Sequence, residues 1–495
     1  MGKLHKRRKG YSDEDLDEDE EIEEEEGDEN EEDEEDEEDE EDGDEEIEED
    51  EEEDDEEDDE EERRAYRHRR RIRNQIVSYL VILFVALGIA AGAVAVGRKV
   101  ATSVSRKRQE AELEKELEEA AKEEENEEEM VIDTPEPVEE ESKEDIFSDM
   151  VKKYYSEMPI EDKVAGLFMV TPESVTGVTV ATQAGEGTQE ALKQYAVGGL
   201  IYFGQNIKDK EQITEMLSST TTKSNYPIFL GVDEEGGDIS RVANSGIDVT
   251  KVDDMAAIGA GGDASSAFNA GETIGSYLKE IGFNVDFAPV ADVTQEGVES
   301  ALGNRSFGSD PQTVGEMVSN AVNGLEGTGV SACLKHFPGL GSTTADTHDG
   351  RVEIDKTIEE LRAADFVPFS AGIEAGADFV MVSHATVPAI DEELPSSLSK
   401  KVITDTLRGE LGFEGVVITD ALDMTAITEY YTSEEAAVMA IEAGADMLLM
   451  PDDFEAAYNA VLAAVQDGSI SEERIDESLD RIYRVKCAGK LGETE

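Results

Sequence analysis

Val330-Ser331-Ala332-Cys333-Leu334-Lys335-His336-Phe337-Pro338-Gly339 runs from a short apolar strand into a lysine and a histidine, and then into residues that stop regular structure. Polar groups placed where a rigid strand gives way to a loop stand where catalytic groups concentrate. The apolar part, residues 330–335, is the fifth of eight runs with one design; the others are 165–170, 197–203, 227–232, 283–290, 378–383, 415–419 and 445–450. Amphipathic stretches rich in Glu, Lys and Ala follow, for example 263–281, 311–327, 358–376 and 472–488. Near-continuous apolar strands alternating with helices indicate a parallel sheet covered on both faces. An open doubly wound sheet shares this local pattern. Eight units, with the last helix closing near Lys490, predict an α/β fold of the (β/α)8 TIM type.

In such a barrel the C-terminal ends of the strands share one mouth. Strand three ends at Asp233, strand five at Lys335 and His336, strand six at His384 and strand seven at Asp420, each a polar group directly after apolar ones. The loop after strand five adds Asp346-Thr347-His348. A histidine at a strand end can be structural, and an acid there can cap the next helix. All three histidines of the globular part on one rim point instead to function.

The rest of the chain is of another kind. The formal net charge of -80 is concentrated in residues 11–62, which hold 44 acidic groups and no basic one. That composition cannot bury a core, and residues 1–62 are expected to be a disordered acidic cytoplasmic tail. Such a charge also argues against nucleic acid as a partner. A basic juxtamembrane segment, 63–75, carries seven arginines, and residues 76–96 then run for twenty-one positions without a charge. Residues 76–97 are therefore expected to form one transmembrane helix. A cleaved signal would be shorter and nearer the N-terminus. Seven arginines before the span, against Arg98, Lys99, Arg106, Lys107 and Arg108 after it, place the N-terminus in the cytoplasm and the barrel outside the cell membrane. Residues 98–145 read as a charged stalk, and the globular domain is expected over 146–490. Cys333 and Cys487 read as small buried residues with no disulfide implied.

Five motifs then occur in order: Gly231-Val232-Asp233-Glu234-Glu235-Gly236-Gly237, Asn304-Arg305-Ser306-Phe307-Gly308, Lys335-His336-Phe337-Pro338-Gly339, Asp346-Thr347-His348, and Ile418-Thr419-Asp420-Ala421-Leu422-Asp423-Met424. Together they resemble family 3 glycoside hydrolases, in the β-N-acetylhexosaminidase branch. The resemblance implies a retaining exo-β-N-acetylglucosaminidase in which Asp420 is the nucleophile and His348 the acid and base, with Asp346 orienting its ring. It further implies that Asp233, Arg241, Arg305, Lys335 and His336 hold the terminal sugar, with His384 and Met424 lining the pocket. No metal or other cofactor is implied. Two positions depart from the family pattern: Asp238 stands where a basic residue is common, and Leu340 where a histidine is common.

Other readings remain open at this level. A family 3 β-glucosidase or a glycoside phosphorylase would share these motifs. A barrel metallohydrolase would need a further histidine pair on strand one, where Leu167-Phe168-Met169-Val170-Thr171-Pro172 has none. A non-catalytic wall-glycan-binding protein would not need Asp420, Asp346 and His348 together. The expected partner is an N-acetylglucosamine-containing glycan, derived from peptidoglycan; the residues leave oligomeric state open.

Overall fold

The computed structural model describes residues 143–490, apart from Asp346, His348 and Asp349. The expected acidic tail, basic segment and membrane span lie outside the described residues, as does almost all of the stalk. Among the described residues no helix is long and apolar enough to cross a membrane.

Eight parallel strands form the centre: β1 (Phe168–Val170), β2 (Gly199–Tyr202), β3 (Phe229–Val232), β4 (Val285–Asp286), β5 (Ser331–Phe337), β6 (Phe379–Val382), β7 (Val416–Thr419) and β8 (Leu448–Leu449). Each pairs with its sequence neighbour, and Phe168 pairs with Leu448 to join first strand to last. A bridge from Ile418 to Met447, with the Thr419 amide donating to Met447 O, closes the ring between β7 and β8. The fold is thus the closed parallel α/β barrel, not an open sheet.

All eight apolar runs overlap a barrel strand, but their ends moved, and β5 runs on to Phe337. Ala165 belongs to the helix Ile160–Ala165 rather than to β1. The run 283–290 yields only two strand residues, because Pro289 has no amide to donate to the ladder. Residues 358–376 are two helices, Ile358–Ala363 and Phe366–Glu374, meeting at the fully buried Asp365. Pro368 lies in the first turn of the second, where its missing N–H costs nothing. The helix Glu472–Val485 passes into a π-helical turn, Lys486–Lys490. A small antiparallel hairpin, Glu234–Gly236 with Ile239–Ser240, was not foreseen.

Barrel size sets the residue choice inside it. A Cβ on Gly231 would stand 2.4 Å from the Met169 side chain and 3.0 Å from Phe287. These two large side chains fill the interior where β3 contributes none. At the base, Asp446 is fully buried and paired with Arg408, Arg474 and Arg481, and accepts from Ser478 Oγ and Val417 N. That one carboxylate ties helix Glu472–Val485 and the π-helix Lys401–Glu410 to β7. Buried Lys486 donates to Gly198 O and Pro227 O, at 2.9 and 2.7 Å, just before β2 and β3.

Asp365 supplies a pH prediction. Its carboxylate meets Lys356 Nζ at 2.9 and 2.7 Å, and burial, only partly opposed by Lys356, lifts its pKa to about 6. The folded state therefore holds this proton more tightly than the unfolded chain does. Its contribution to stability is complete below the ordinary value of 3.8 and is lost as pH rises through about 6. The loss corresponds to at most about 3 kcal/mol. Asp365→Asn is expected to flatten that decline in urea unfolding curves taken between pH 4 and 7. An unchanged pH dependence would refute the assignment.

Candidate active site

Loops at the C-terminal ends of the strands enclose a cavity of about 720 Å³, of a size to take a sugar. Asp233, Arg241, Arg305, Lys335, His336, Asp420 and Met424, all foreseen from the sequence, line it.

Asp420 is the residue after β7. Its amide donates to Val382 O of β6, and the Leu422 amide donates to Leu449 O of β8, both at 2.9 Å. The two neighbouring strands thus fix the backbone on either side of the half-buried carboxyl. Oδ1 accepts from the Ala421 amide at 2.9 Å. Burial opposes its ionisation, but His384, that amide and Lys335 outweigh it and hold Asp420 below the ordinary carboxylate range. Its carboxyl is thus kept as the anion.

The same cavity holds a charge cluster built on buried Lys335 and Glu235. Lys335 Nζ meets Asp233 Oδ1 at 2.8 Å and Glu235 Oε1 at 2.6 Å. Arg305 holds Glu235 in a two-pronged pair, Nε to Oε2 and Nη2 to Oε1, each at 2.8 Å. Burial alone would raise Glu235, yet Lys335 and Arg305 bring it down to about 2. The same carboxylates raise the pKa of Lys335 despite its burial. Arg241 reaches toward Asp233 at 3.8 Å and lies over the Phe203 ring at 5.9 Å. Behind them Glu234 accepts from Val242 N, Ala243 N and Tyr277 Oη, which anchors the hairpin carrying Glu235.

Lys335 and His336 are adjacent in β5 and both line the cavity, although successive strand side chains normally oppose each other. The pairing of β5 with β6 is irregular between Leu334 and Phe337, so alternation fails there. His336 Nδ1 lies 2.8 Å from Asp292 Oδ2, and its Nε2 lies 3.4 Å from Arg305 Nη2.

His384 stands behind the wall rather than on it. It is 1% exposed, with Nδ1 at 2.8 Å from Ser397 Oγ and Nε2 at 2.8 Å from Ala421 O. Its place corrects the expectation of a pocket-lining residue, and its contribution is to brace the peptide after Asp420. Asp346 and His348 lie outside the described residues. Thr347 between them lines the cavity, and its carbonyl accepts from Ala426 N in the short helix Thr425–Thr428 beyond Asp420. Leu340 is a buried wall residue, whereas Asp238 is exposed at the hairpin turn. Neither Glu235 nor Asp292 stands out as functional from the sequence alone. Glu235 had a signal in its motif; Asp292, in Val290-Ala291-Asp292-Val293, had only its polarity in an apolar stretch.

The geometry agrees with comparisons to known proteins. A β-hexosaminidase A of Pseudoalteromonas piscicida is 32% identical over 328 residues, covering 60% of this chain and 54% of the relative. A β-hexosaminidase of Stenotrophomonas maltophilia (strain K279a) is 36% identical over 276 residues, covering 54% of this chain and 81% of the relative. The solved structure of a glycoside hydrolase family 3 β-N-acetylglucosaminidase from Paenibacillus sp. str. FPU-7 superposes with a TM-score of 0.61 at 36% identity, over 67% of this chain and 64% of that one. The chain thus spans about half of the first of these relatives and most of the second. The description "Glycosyl hydrolase family 3 N terminal domain" matches residues 159–485. These residues are the barrel and its rim, and the chain belongs to glycosyl hydrolase family 3.

Proposed function

We propose that this protein is a retaining exo-β-N-acetylglucosaminidase, anchored by residues 76–97 and acting outside the cytoplasmic membrane on peptidoglycan-derived glycans. The observation that carries the reading is the meeting, in one cavity, of a strand-fixed anionic Asp420 with the Asp233, Lys335, Glu235 and Arg305 cluster. Oriented charged donors and acceptors are what a polyhydroxylated ring requires. The β-hexosaminidase and β-N-acetylglucosaminidase relatives support an N-acetylated sugar.

Asp420 attacks the anomeric carbon while the bond to the leaving oxygen breaks, giving a glycosyl ester. His348, oriented by Asp346, gives its proton to that oxygen. Water then attacks the anomeric carbon, giving a proton to His348 as the bond from that carbon to the Asp420 oxygen breaks, which frees the carboxylate with net retention. An imidazole serves both steps because its ordinary pKa lies close to neutrality.

The test is turnover of a chromogenic N-acetyl-β-glucosaminide beside the matching β-glucoside, each with and without inorganic phosphate. Faster release from the N-acetylated substrate, indifferent to phosphate, is expected. A preference for the glucoside would overturn the branch, and a sugar phosphate product would overturn hydrolysis. The uncharged span and its arginine-rich flank support the topology, for which protease treatment of intact cells should remove the barrel and spare the acidic tail.

A further inference from the structure

Asp292 lies in the segment leaving β4 and is fully buried. It is not part of the cavity wall, yet its carboxylate takes three hydrogen bonds from the next strand and loop. Oδ2 accepts from the His336 amide at 3.1 Å and stands 2.8 Å from His336 Nδ1; Oδ1 accepts from the Leu340 amide at 2.5 Å. Its own carbonyl accepts from Ser306 Oγ at 2.6 Å, one residue after Arg305. One side chain therefore touches the ring of a cavity residue and the start of the loop that carries Asp346 and His348, and its backbone holds the segment that presents Arg305.

Both oxygens of Asp292 already accept backbone N–H groups, so toward the imidazole the carboxylate is again the acceptor. Nδ1 then carries the ring proton, and Nε2 turns a bare lone pair to the cavity. Arg305 Nη2, a donor, lies 3.4 Å from that nitrogen, which fits a lone pair and not a second N–H. Lys335 and Arg305 crowd this wall with donors, and His336 adds an acceptor between them.

We infer that Asp292 is a positioning residue for glycoside cleavage: it fixes His336 as the Nδ1–H tautomer, so that Nε2 accepts from a substrate hydroxyl, and it pins the root of the acid/base loop through Leu340. The inference rests on the reading of the cavity as a sugar site. A carboxylate that orients an imidazole through Nδ1 commonly acts in this way, and its loss reduces activity without removing the histidine.

Two measurements test it on the full chain. Long-range 1H–15N NMR of the wild type near neutral pH, with the His336 signals assigned by His336→Gln, is expected to show a protonated Nδ1 and a bare Nε2. An Nε2–H tautomer or an imidazolium overturns the proposal, and this holds whether or not any variant folds. Asp292→Asn offers an amide N–H to Nδ1 and should move the proton to Nε2. It is expected to lower kcat/KM about 10²-fold. Among monodeoxy N-acetylglucosaminides, one should be poor for the wild type and no worse than its parent for Asp292→Asn, because the lost hydroxyl no longer has its acceptor. Wild-type tautomer and wild-type discrimination in Asp292→Asn would overturn the role. Failure of the wild type to cleave any N-acetylglucosaminide would instead sink the functional reading, while the NMR result still decides the Asp292–His336 pairing.

Discussion

Asp420→Asn is expected to lower kcat by roughly 10⁴-fold while leaving the barrel folded. The substitution keeps the size and planarity of the side chain. The amide oxygen can still accept from Ala421 N, and the backbone bonds to Val382 and Leu449 do not involve the side chain at all. What is lost is the anion. In the wild type His384 and Lys335 favour the ionised form over the opposing effect of burial, and an amide neither feels that field nor forms the ester. KM should change far less than kcat, since the amide keeps the side chain's size and planarity in the cavity. The check is steady-state kinetics beside circular dichroism. Activity within tenfold of wild type in a folded variant would remove Asp420 from the mechanism.

Glu235→Ala should be the most damaging change to the site's architecture. Its carboxylate is 1% exposed and shared by Lys335 and Arg305, both held within 2.8 Å. Truncation leaves Lys335 with Asp233 alone and takes from Arg305 its two-pronged partner, and removing one member of a buried ion pair costs roughly 3–5 kcal/mol. The melting temperature should fall by on the order of 10 °C. Glu235→Gln separates charge from packing. In the wild type Glu235 stabilises fully above its ordinary value of 4.5, and that stabilisation is lost as pH falls through about 2. The glutamine variant should lack this acid sensitivity and lose kcat/KM, because Lys335 and Arg305 are no longer held in place for the sugar. A glutamine variant with wild-type stability and kinetics would show the cluster to be dispensable.

Much of the barrel was legible because its strands are buried on both faces, and that writes continuous apolar runs such as Val416-Val417-Ile418 into the sequence. Strand ends were less legible. Nothing local separates Ala165, which ends a helix, from Phe168, which begins β1; pairing with β8 decides between them. The rim could be read because a charged residue directly after an apolar run is conspicuous, as at Asp233, Lys335 and Asp420. Residues that act through other residues leave no such mark. Asp292 depends on where His336 and Leu340 arrive from 44 and 48 positions away, and a linear pattern does not carry that distance. His384 was conspicuous for the same reason as the others but stands behind Ala421, because reaching the end of a strand does not decide which way a side chain turns.

The seam between β1 and β8 has a consequence for how the protein is made. Phe168 meets Leu448, and Lys163 meets Glu472 and Asp476, about 300 residues further along. A chain emerging from the ribosome can lay down seven strands and still hold an open sheet with an unpaired edge. Only when the helix Glu472–Val485 is out can Asp446 gather Arg408, Arg474 and Arg481 and the ring shut. Residues 446–485 thus decide whether everything translated before them becomes a closed barrel or an exposed edge for aggregation.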